Sequence, residues 1–259
     1  MGKLIPLFPL GTPLFPGVVL PLRIFEPRYR RLMADLTGLP EGSERRFFGV
    51  VAIRQGWEVE RVAPARALYD VGCTARLRSL RPEIDGGFRI VTVGGDRFRL
   101  LDVVVGEHPP YLQAEVEWLA DEEAAEEAAG DTDGLADPMR SDDVTVAVAR
   151  DSLALLASSV RGLLTRYVAE VAARGAGGDE AGAATLLHPT SDDPTALSWL
   201  VAAAALLTTE DRQALLAESA TRRRLAAEAR LLRRELTLLQ TLGAVPVPLQ
   251  ELAVPMPVN

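Results

Sequence analysis

The sequence predicts an α+β protein in two parts, a strand-built half followed by a bundle of helices. Three observations carry this. Between residues 47 and 119 short apolar runs recur with turn residues between them, the spacing of a β-sandwich or barrel. From Ser141 onward the apolar period lengthens from two to about 3.6 residues, that of helices burying one face. Between them Asp121 to Asp137 is acidic and poor in bulky apolar side chains, a solvated connector rather than an acidic lure for a basic partner. The chain thus divides into a β-rich unit over 1–120, an acidic linker over 121–140, a helical unit over 141–243 and a proline-rich extended tail over 244–259.

The first stretch opens extended. Pro6, Pro9, Pro13, Pro16 and Pro21 each remove a backbone donor and fix φ, which suits strand starts, edges and bulges. Gly11 and Gly17 mark tight bends. Pro27 suits a first helical position, and Tyr29, Leu32, Met33 and Leu36 form the apolar stripe of a short helix that Gly38 ends. Strands are expected at Phe47–Arg54, at Val59–Ala63 and at Tyr69–Leu80, where Cys73, Ala75 and Leu77 alternate with Thr74, Arg76 and Arg78. A turn at Glu83–Gly87 leads into Phe88–Val93. Gly94-Gly95 is then expected to bend the chain into a separate strand, Arg97–Val105, before the last one at Tyr111–Leu119.

In the second half, Ser141, Asp142 or Asp143 can cap a long helix reaching Arg174, with Leu153, Leu156, Val160, Leu163, Leu164, Tyr167 and Val171 in one stripe. Gly175–Gly182 is a break. Asp193 caps and Pro194 starts a helix to Leu207, with Leu197, Leu200, Val201 and Ala204 inward. Thr208 or Thr209 caps a short helix over Glu210–Ala217. Ser219 caps the last, over Thr221–Leu242, with Leu225, Leu232, Leu236 and Leu239 on one side.

Several of these segments also carry a resemblance. Phe15-Pro16-Gly17, then Leu20-Pro21-Leu22, Ile24-Phe25-Glu26 and a Tyr29-led helix resemble the N-terminal substrate-binding domain of Lon proteases, in its stand-alone versions. Gly94 to Leu100, Pro110 to Leu119, Asp193 to Leu207 and Arg224 to Leu236 continue the likeness. The resemblance implies a PUA-like β pseudobarrel carrying one short helix, followed by a helical bundle. It implies recognition of unfolded or degron-bearing polypeptides, or of a protease or adaptor partner.

Composition narrows the chemistry. The formal charge is −8, which disfavours general binding to a polyanion. An RNA-binding role, which PUA-like barrels suggest, is therefore the alternative reading, further opposed by an aromatic content of 5%. Cys73 is the single cysteine; it fits a reducing compartment and a buried place in a strand. No secretory signal is legible and Leu197–Leu207 is too short to cross a bilayer, so a cytoplasmic protein with no membrane contact is expected.

No catalytic residue, cofactor site or metal site is expected. The only lysine is Lys3, so neither a phosphate-cradling GxxxxGK(S/T) loop nor a lysine placed to activate a serine exists. His108 and His188 are far apart in sequence, and no HExxH, CxxC or GxSxG pattern is present. Asp142-Asp143 and Asp192-Asp193 fall at helix starts, where carboxylates cap. An enzyme would require a deep polar cleft around Arg97, Asp96 or Glu26.

Two candidate binding surfaces remain. Phe15, Phe25, Tyr29 and Phe98 form an apolar peptide-binding patch if exposed together, and otherwise the barrel core and helix seam. Arg223, Arg230 and Arg234 share one side of the last helix. They can dock an acidic partner or the chain's own acidic segment, or else pair with neighbouring carboxylates. Glu228 is the only acidic residue among the arginines from Arg222 to Arg234.

Overall fold

A computed structural model of the chain describes residues 3–54, 64–106, 108–121, 143–174 and 193–242. Among these residues six strands come first: β1 (Lys3–Leu10), β2 (Val19–Ile24), β3 (Phe47–Ala52), β4 (Val71–Pro82), β5 (Phe88–Val104) and β6 (Gln113–Leu119). They are interrupted by α1 (Pro27–Thr37) and the one-turn α2 (Pro64–Ala67). Four helices follow: α3 (Asp143–Ala173), α4 (Pro194–Ala204), α5 (Thr209–Ala217) and α6 (Thr221–Leu242). The fold is α+β. The expected strand at Val59–Ala63, most of the acidic linker, Gly175–Gly182 and the tail lie outside the described residues, as do Ser141, Asp142 and His188.

The sheet runs in the order β2-β5-β4-β3-β1-β6, and β5 pairs with β6 as well. That extra pairing closes β5-β4-β3-β1-β6 into a ring. β2 stays outside it, on the first half of β5. The result is a pseudobarrel, not a simple barrel. Of the early prolines, Pro21 lies on the edge strand β2, whereas Pro6 and Pro9 lie in β1, between β3 and β6. Lys3–Pro6 pairs with β6 and Leu7–Leu10 with β3, so each half of β1 is bonded on one side and a missing donor can fall on the other.

Gly94-Gly95 does not end the strand. β5 continues through it as one strand of 17 residues, with a register shift against β4 between Gly94 and Arg97, and the glycines serve close approach as well. Phe15-Pro16-Gly17-Val18 forms a turn in which the Val18 N–H donates to the Phe15 carbonyl at 3.2 Å, and Gly17 has φ 74°. This is type II geometry, with Pro second and a left-handed Gly third. Gly17 N–H donates to the Gly94 carbonyl and Gly94 N–H to the Val18 carbonyl, both at 2.9 Å. A Cβ on Gly94 would lie 1.9 Å from the Phe15 oxygen. Gly94→Ala is therefore expected to lose about 1–3 kcal/mol of stability by overpacking against backbone. Gly162→Ala, with nothing within 4 Å inside α3, is expected to gain about 0.5–1 kcal/mol from helix propensity. Chemical denaturation of both variants checks the pair; equal effects would remove the steric explanation.

β4 keeps the predicted alternation to Leu77, then a bulge between Leu77 and Ser79 re-phases it, so that Leu77 and Leu80 both pack inward. Cys73 is fully buried, and burial pushes its thiol up to about 12. The neutral thiol favours the folded state fully below its ordinary 9.0, and this contribution is lost as pH climbs toward 12. The folded protein is expected to resist a thiol reagent in mildly alkaline buffer and to react fully in denaturant. Labelling of the folded chain at the rate of a free thiol would contradict this.

Local sequence builds α1 as expected. Pro27 opens it and its buried residues are Tyr29, Leu32, Met33 and Leu36. Gly38 ends it in a right-handed conformation, φ −66°, not the left-handed one. Asp193 caps α4 through Thr195 and Ala196 N–H, and Thr208 caps α5 through Asp211 N–H. α4 stops at Ala204, short of Leu207. The Ser219 hydroxyl, just before α6, accepts from Arg97 at 3.2 Å.

Three apolar clusters hold the molecule. Ile5, Leu7, Val51, Leu68, Phe98, Ala114 and Val116 fill the ring. Val160, Leu164 and Tyr167 of α3 pack with Leu197 and Val201 of α4 and Leu225, Leu232, Leu236 and Leu239 of α6. The third joins the two parts: Phe8, Phe15, Ile24, Leu32, Met33 and Ile90 pack with Trp199, Ala202, Leu215 and Leu216. Gln213 of α5 adds a polar tie, its Nε2 donating to the Val71 carbonyl at 2.8 Å.

Candidate functional site

The four aromatic candidates do not form one exposed patch. Phe15, Tyr29 and Phe98 are buried: Phe15 stacks on Trp199, Tyr29 on Phe8, and Phe98 fills the ring beside Trp118. Burial raises the Tyr29 phenol to about 12. These three belong to the core and the helix seam. Phe25 alone stays out, 60% exposed at the end of β2.

What surrounds Phe25 follows from register. β2 has β5 as its one strand neighbour, so its other edge is open to pairing among the described residues. Because Gly94 and Val18 share a hydrogen bond, antiparallel alternation bonds Leu20, Leu22 and Ile24 to β5. The backbone groups of Val19, Pro21 and Arg23 then turn to the open edge. Pro21, with no N–H, thus sacrifices no ladder bond.

The same alternation sets the outer face. Leu20, Leu22 and Ile24 point in, and Val19, Pro21, Arg23 and Phe25 point out. Across the sheet, Val19 is opposite Val93 and Pro21 opposite Val91. Arg23 is opposite Arg89, which in turn is opposite Arg81. Three guanidinium groups directly across three strands repel one another. The β4–β5 hairpin supplies the compensation: Glu83 accepts from Arg23 at 2.7 Å and from Arg89 at 2.8 Å, and Asp85 from Arg23 at 2.8 Å. Hydrogen bonds from Arg23 and Arg89 hold the Glu83 carboxyl below its usual range.

The hairpin tip is pressed against this end of the sheet. A Cβ on Gly87 would lie 2.8 Å from the Ile24 oxygen, and one on Gly86 3.4 Å from Arg30 Nη1. Ile84, at the tip, is fully exposed. Glu26 and Arg28 pair beside Phe25 at 2.8 Å. The panel is therefore an apolar strip of Val19, Pro21, Val91 and Val93, an arginine row, and the exposed Phe25 beyond it. The outward place of Arg89 is legible from strand alternation. Arg23 and Arg81 join it only through register and turn packing.

Of the arginine candidates, Arg223 and Arg230 line a groove of about 490 Å³ between α5 and α6, together with Asp211, Leu215, Glu218 and Leu231 among others; Arg234 is not part of its lining. Arg223 pairs with Glu218 at 3.0 Å, and Arg234 with Asp211 and Glu235, both at 2.7 Å. Arg230 lines the groove and forms no ion pair among the described residues. Glu228 is no counter-ion on this face. It is fully buried with both oxygens unpartnered, and desolvation raises its carboxyl well above the usual range.

The polar cluster that residue types do not announce lies at the junction of the two parts. Arg97 is 2% exposed and Arg224 0%. Arg97 donates to the Leu216, Glu218 and Ala120 carbonyls at 2.9, 3.3 and 3.1 Å and to Asp121 at 2.5 Å. Arg224 donates to Ser198, the Glu218 carbonyl and Thr221 at 2.7, 2.6 and 3.1 Å. Its guanidinium carbon lies 3.5 Å from the Trp199 ring centre and that of Arg97 5.3 Å. Desolvation pushes Arg224 down to about 10, still charged at neutral pH. Asp121, the first residue of the acidic segment, thus docks on Arg97 of β5 and lies 3.7 Å from Arg224 of α6. Asp96 pairs with Arg76 and Glu26 with Arg28, so Arg97, Asp96 and Glu26 form no shared polar cleft.

Among the described residues no group of three metal-ligating side chains occurs, and no helix is long and apolar enough to cross a membrane.

Comparison with known proteins agrees with this architecture. The family model of the ATP-dependent protease La (LON) substrate-binding domain matches residues 4–234. Lon protease 1 of Herpetosiphon aurantiacus is 27% identical over 235 residues, 89% of this chain and 24% of that protease. Lon protease 2 of Myxococcus xanthus is 30% identical over 125 residues, 48% of this chain and 14% of that protease. The chain thus spans about a quarter or less of the length of these relatives. The crystal structure of a Lon N-terminal domain protein from Xanthomonas campestris superposes with a TM-score of 0.53 at 26% identity, covering 89% of this chain and 98% of that one. The N-terminal domain of a Mycobacterium avium complex Lon protease gives 0.55 at 18% identity, over 89% of this chain and 98% of that one, a likeness of fold. With the match running from β1 well into α6, the chain belongs to the family of Lon (protease La) substrate-binding domains.

Proposed function

We propose that this chain is a polypeptide-recognition module that does no bond-breaking or ATP-consuming chemistry of its own and presents clients to a separate protease or adaptor. The observation that carries the reading is Phe25, a large aromatic side chain 60% exposed at the end of a strand whose second edge is open. An extended client segment added along β2 gains main-chain hydrogen bonds from Val19 and Arg23, while Phe25 and the Val19–Val91–Val93 strip take its apolar side chains. The name of the matched family, a substrate-binding domain, supports this reading, as does the absence of a second lysine for either protease or ATPase chemistry.

The test is binding of a permanently unfolded, fluorescently labelled polypeptide, followed by anisotropy. Phe25→Ser is expected to weaken binding about tenfold, the size of one well-packed aromatic anchor. Phe98→Leu, a change inside the ring, is the control and should leave affinity within about twofold. Loss of binding in the control alone would move the site away from β2.

A further inference from the structure

We infer that the segment the β2 panel prefers carries a carboxylate flanked by two bulky apolar side chains, each two residues away from it, laid along β2 as an added strand. This rests on the proposed function and specifies its ligand.

The spacing comes from the order of rows on the outer face. Along β2 that face reads Val19, Pro21, Arg23, Phe25: apolar, apolar, basic, apolar. An added strand places its own side chains beside these with the same period of two. Apolar side chains therefore meet Pro21 and Phe25, and the position between them meets Arg23.

The charge comes from a local excess. The chain is acidic as a whole, at −8, yet Arg23, Arg30, Arg81 and Arg89 converge at this end of the sheet against two carboxylates, Glu83 and Asp85. Arg81 has no recorded ion pair among the described residues. Arg30, beside the hairpin tip, has its Nε buried without a partner. Arg23 and Arg89 keep 61% and 69% of their side chains in water, so they are open to a further carboxylate. An acidic client residue in that position lies beside Arg23, with Arg89 one strand further across the sheet; a basic one is repelled by both.

Register makes the inference sharp. Moving the carboxylate by one residue sends it to the opposite face of the added strand, so two peptides of identical composition should differ. Anisotropy with labelled, unstructured Phe-Ser-Glu-Ser-Phe and Phe-Glu-Ser-Ser-Phe peptides, flanked alike by serines, tests this on the full chain. The first is expected to bind about threefold tighter, the gain from one exposed charge pair with Arg23. The gap should close in Arg23→Glu and at high salt. Phe25→Ser should weaken both peptides. Equal affinities, both lowered by Phe25→Ser, would overturn the acidic spacing while leaving polypeptide recognition at β2 intact. Binding of neither peptide would overturn both readings. So would single-stranded polyuridine competing in a way that Arg23→Glu abolishes and Phe25→Ser does not touch, because the arginine row would then be serving phosphates.

Discussion

Replacing Trp199 with alanine is expected to lower the unfolding free energy by about 3–5 kcal/mol, the range for deleting a buried aromatic. The residue is 4% exposed and occupies the seam between strand-built and helical parts. On one side Phe15 stacks on it with ring centres 6.2 Å apart; on the other the Arg224 guanidinium lies over its face at 3.5 Å. Deletion opens a cavity against Phe15 and strips a buried cation of the π-face that compensates its lost water. Phe15 also begins the turn that meets Gly94, so the strain spreads to the outer strand β2. Denaturant titration of the variant measures the loss. Trp199→Phe, which keeps a ring in place, should recover more than half of it. A loss below about 1 kcal/mol in the alanine variant would mean that the two parts do not depend on their shared core.

Why Trp199 escapes a sequence reading explains much of what does. The inward set expected for α4, Leu197, Leu200, Val201 and Ala204, presumes one buried stripe. The helix has two: Leu197 and Val201 face the bundle, while Trp199 and Ala202 face the sheet. Periodicity identifies a helix with one wet side and goes blind when both sides are covered. α1 has one wet side, and its stripe of Tyr29, Leu32, Met33 and Leu36 is legible residue by residue. The caps at Asp193 and Thr208 are legible because capping is settled within three residues.

Gly94 is the opposite case. What it must avoid, the Phe15 carbonyl, comes from another part of the chain, so a glycine pair that reads as a bend is a point of contact. The binding surface divides the same way. That aromatic residues gather near the first turn is visible in sequence, but which of Phe15, Phe25, Tyr29 and Phe98 meets water is decided by packing. The arginine row is further from reach: Arg23 and Glu83 are 60 positions apart and meet through strand register.

Arg97→Met is expected to cost about 3–5 kcal/mol, while Asp121→Asn, at its ion-pair partner, should cost no more than about 1 kcal/mol. The asymmetry follows from what each change leaves behind. Without the guanidinium, the carbonyls of Ala120 and Leu216 lose a donor at a site where Arg97 itself is 2% exposed, while the Glu218 carbonyl keeps its bond from Arg224. Each buried orphan costs about 1–3 kcal/mol, and the sum is not additive. Asp121, 32% exposed, has water to turn to, and Asn there can still accept from Arg97. The reading thus assigns the stability of the junction to carbonyls gathered by a buried cation, with the ion pair secondary. A double-mutant cycle over Arg97→Met and Asp121→Asn measures the coupling between them. A coupling below about 1 kcal/mol beside a large Arg97 effect is the expected result. If Asp121→Asn alone costs as much as Arg97→Met, the junction is held by the charge pair and the carbonyl account is wrong. Arg224→Met extends the test: its donors reach the Ser198 and Thr221 hydroxyls, which keep Thr195 as a partner, and the Glu218 carbonyl, which keeps Arg97, so its loss should fall below that of Arg97 although Arg224 is the more deeply buried of the two.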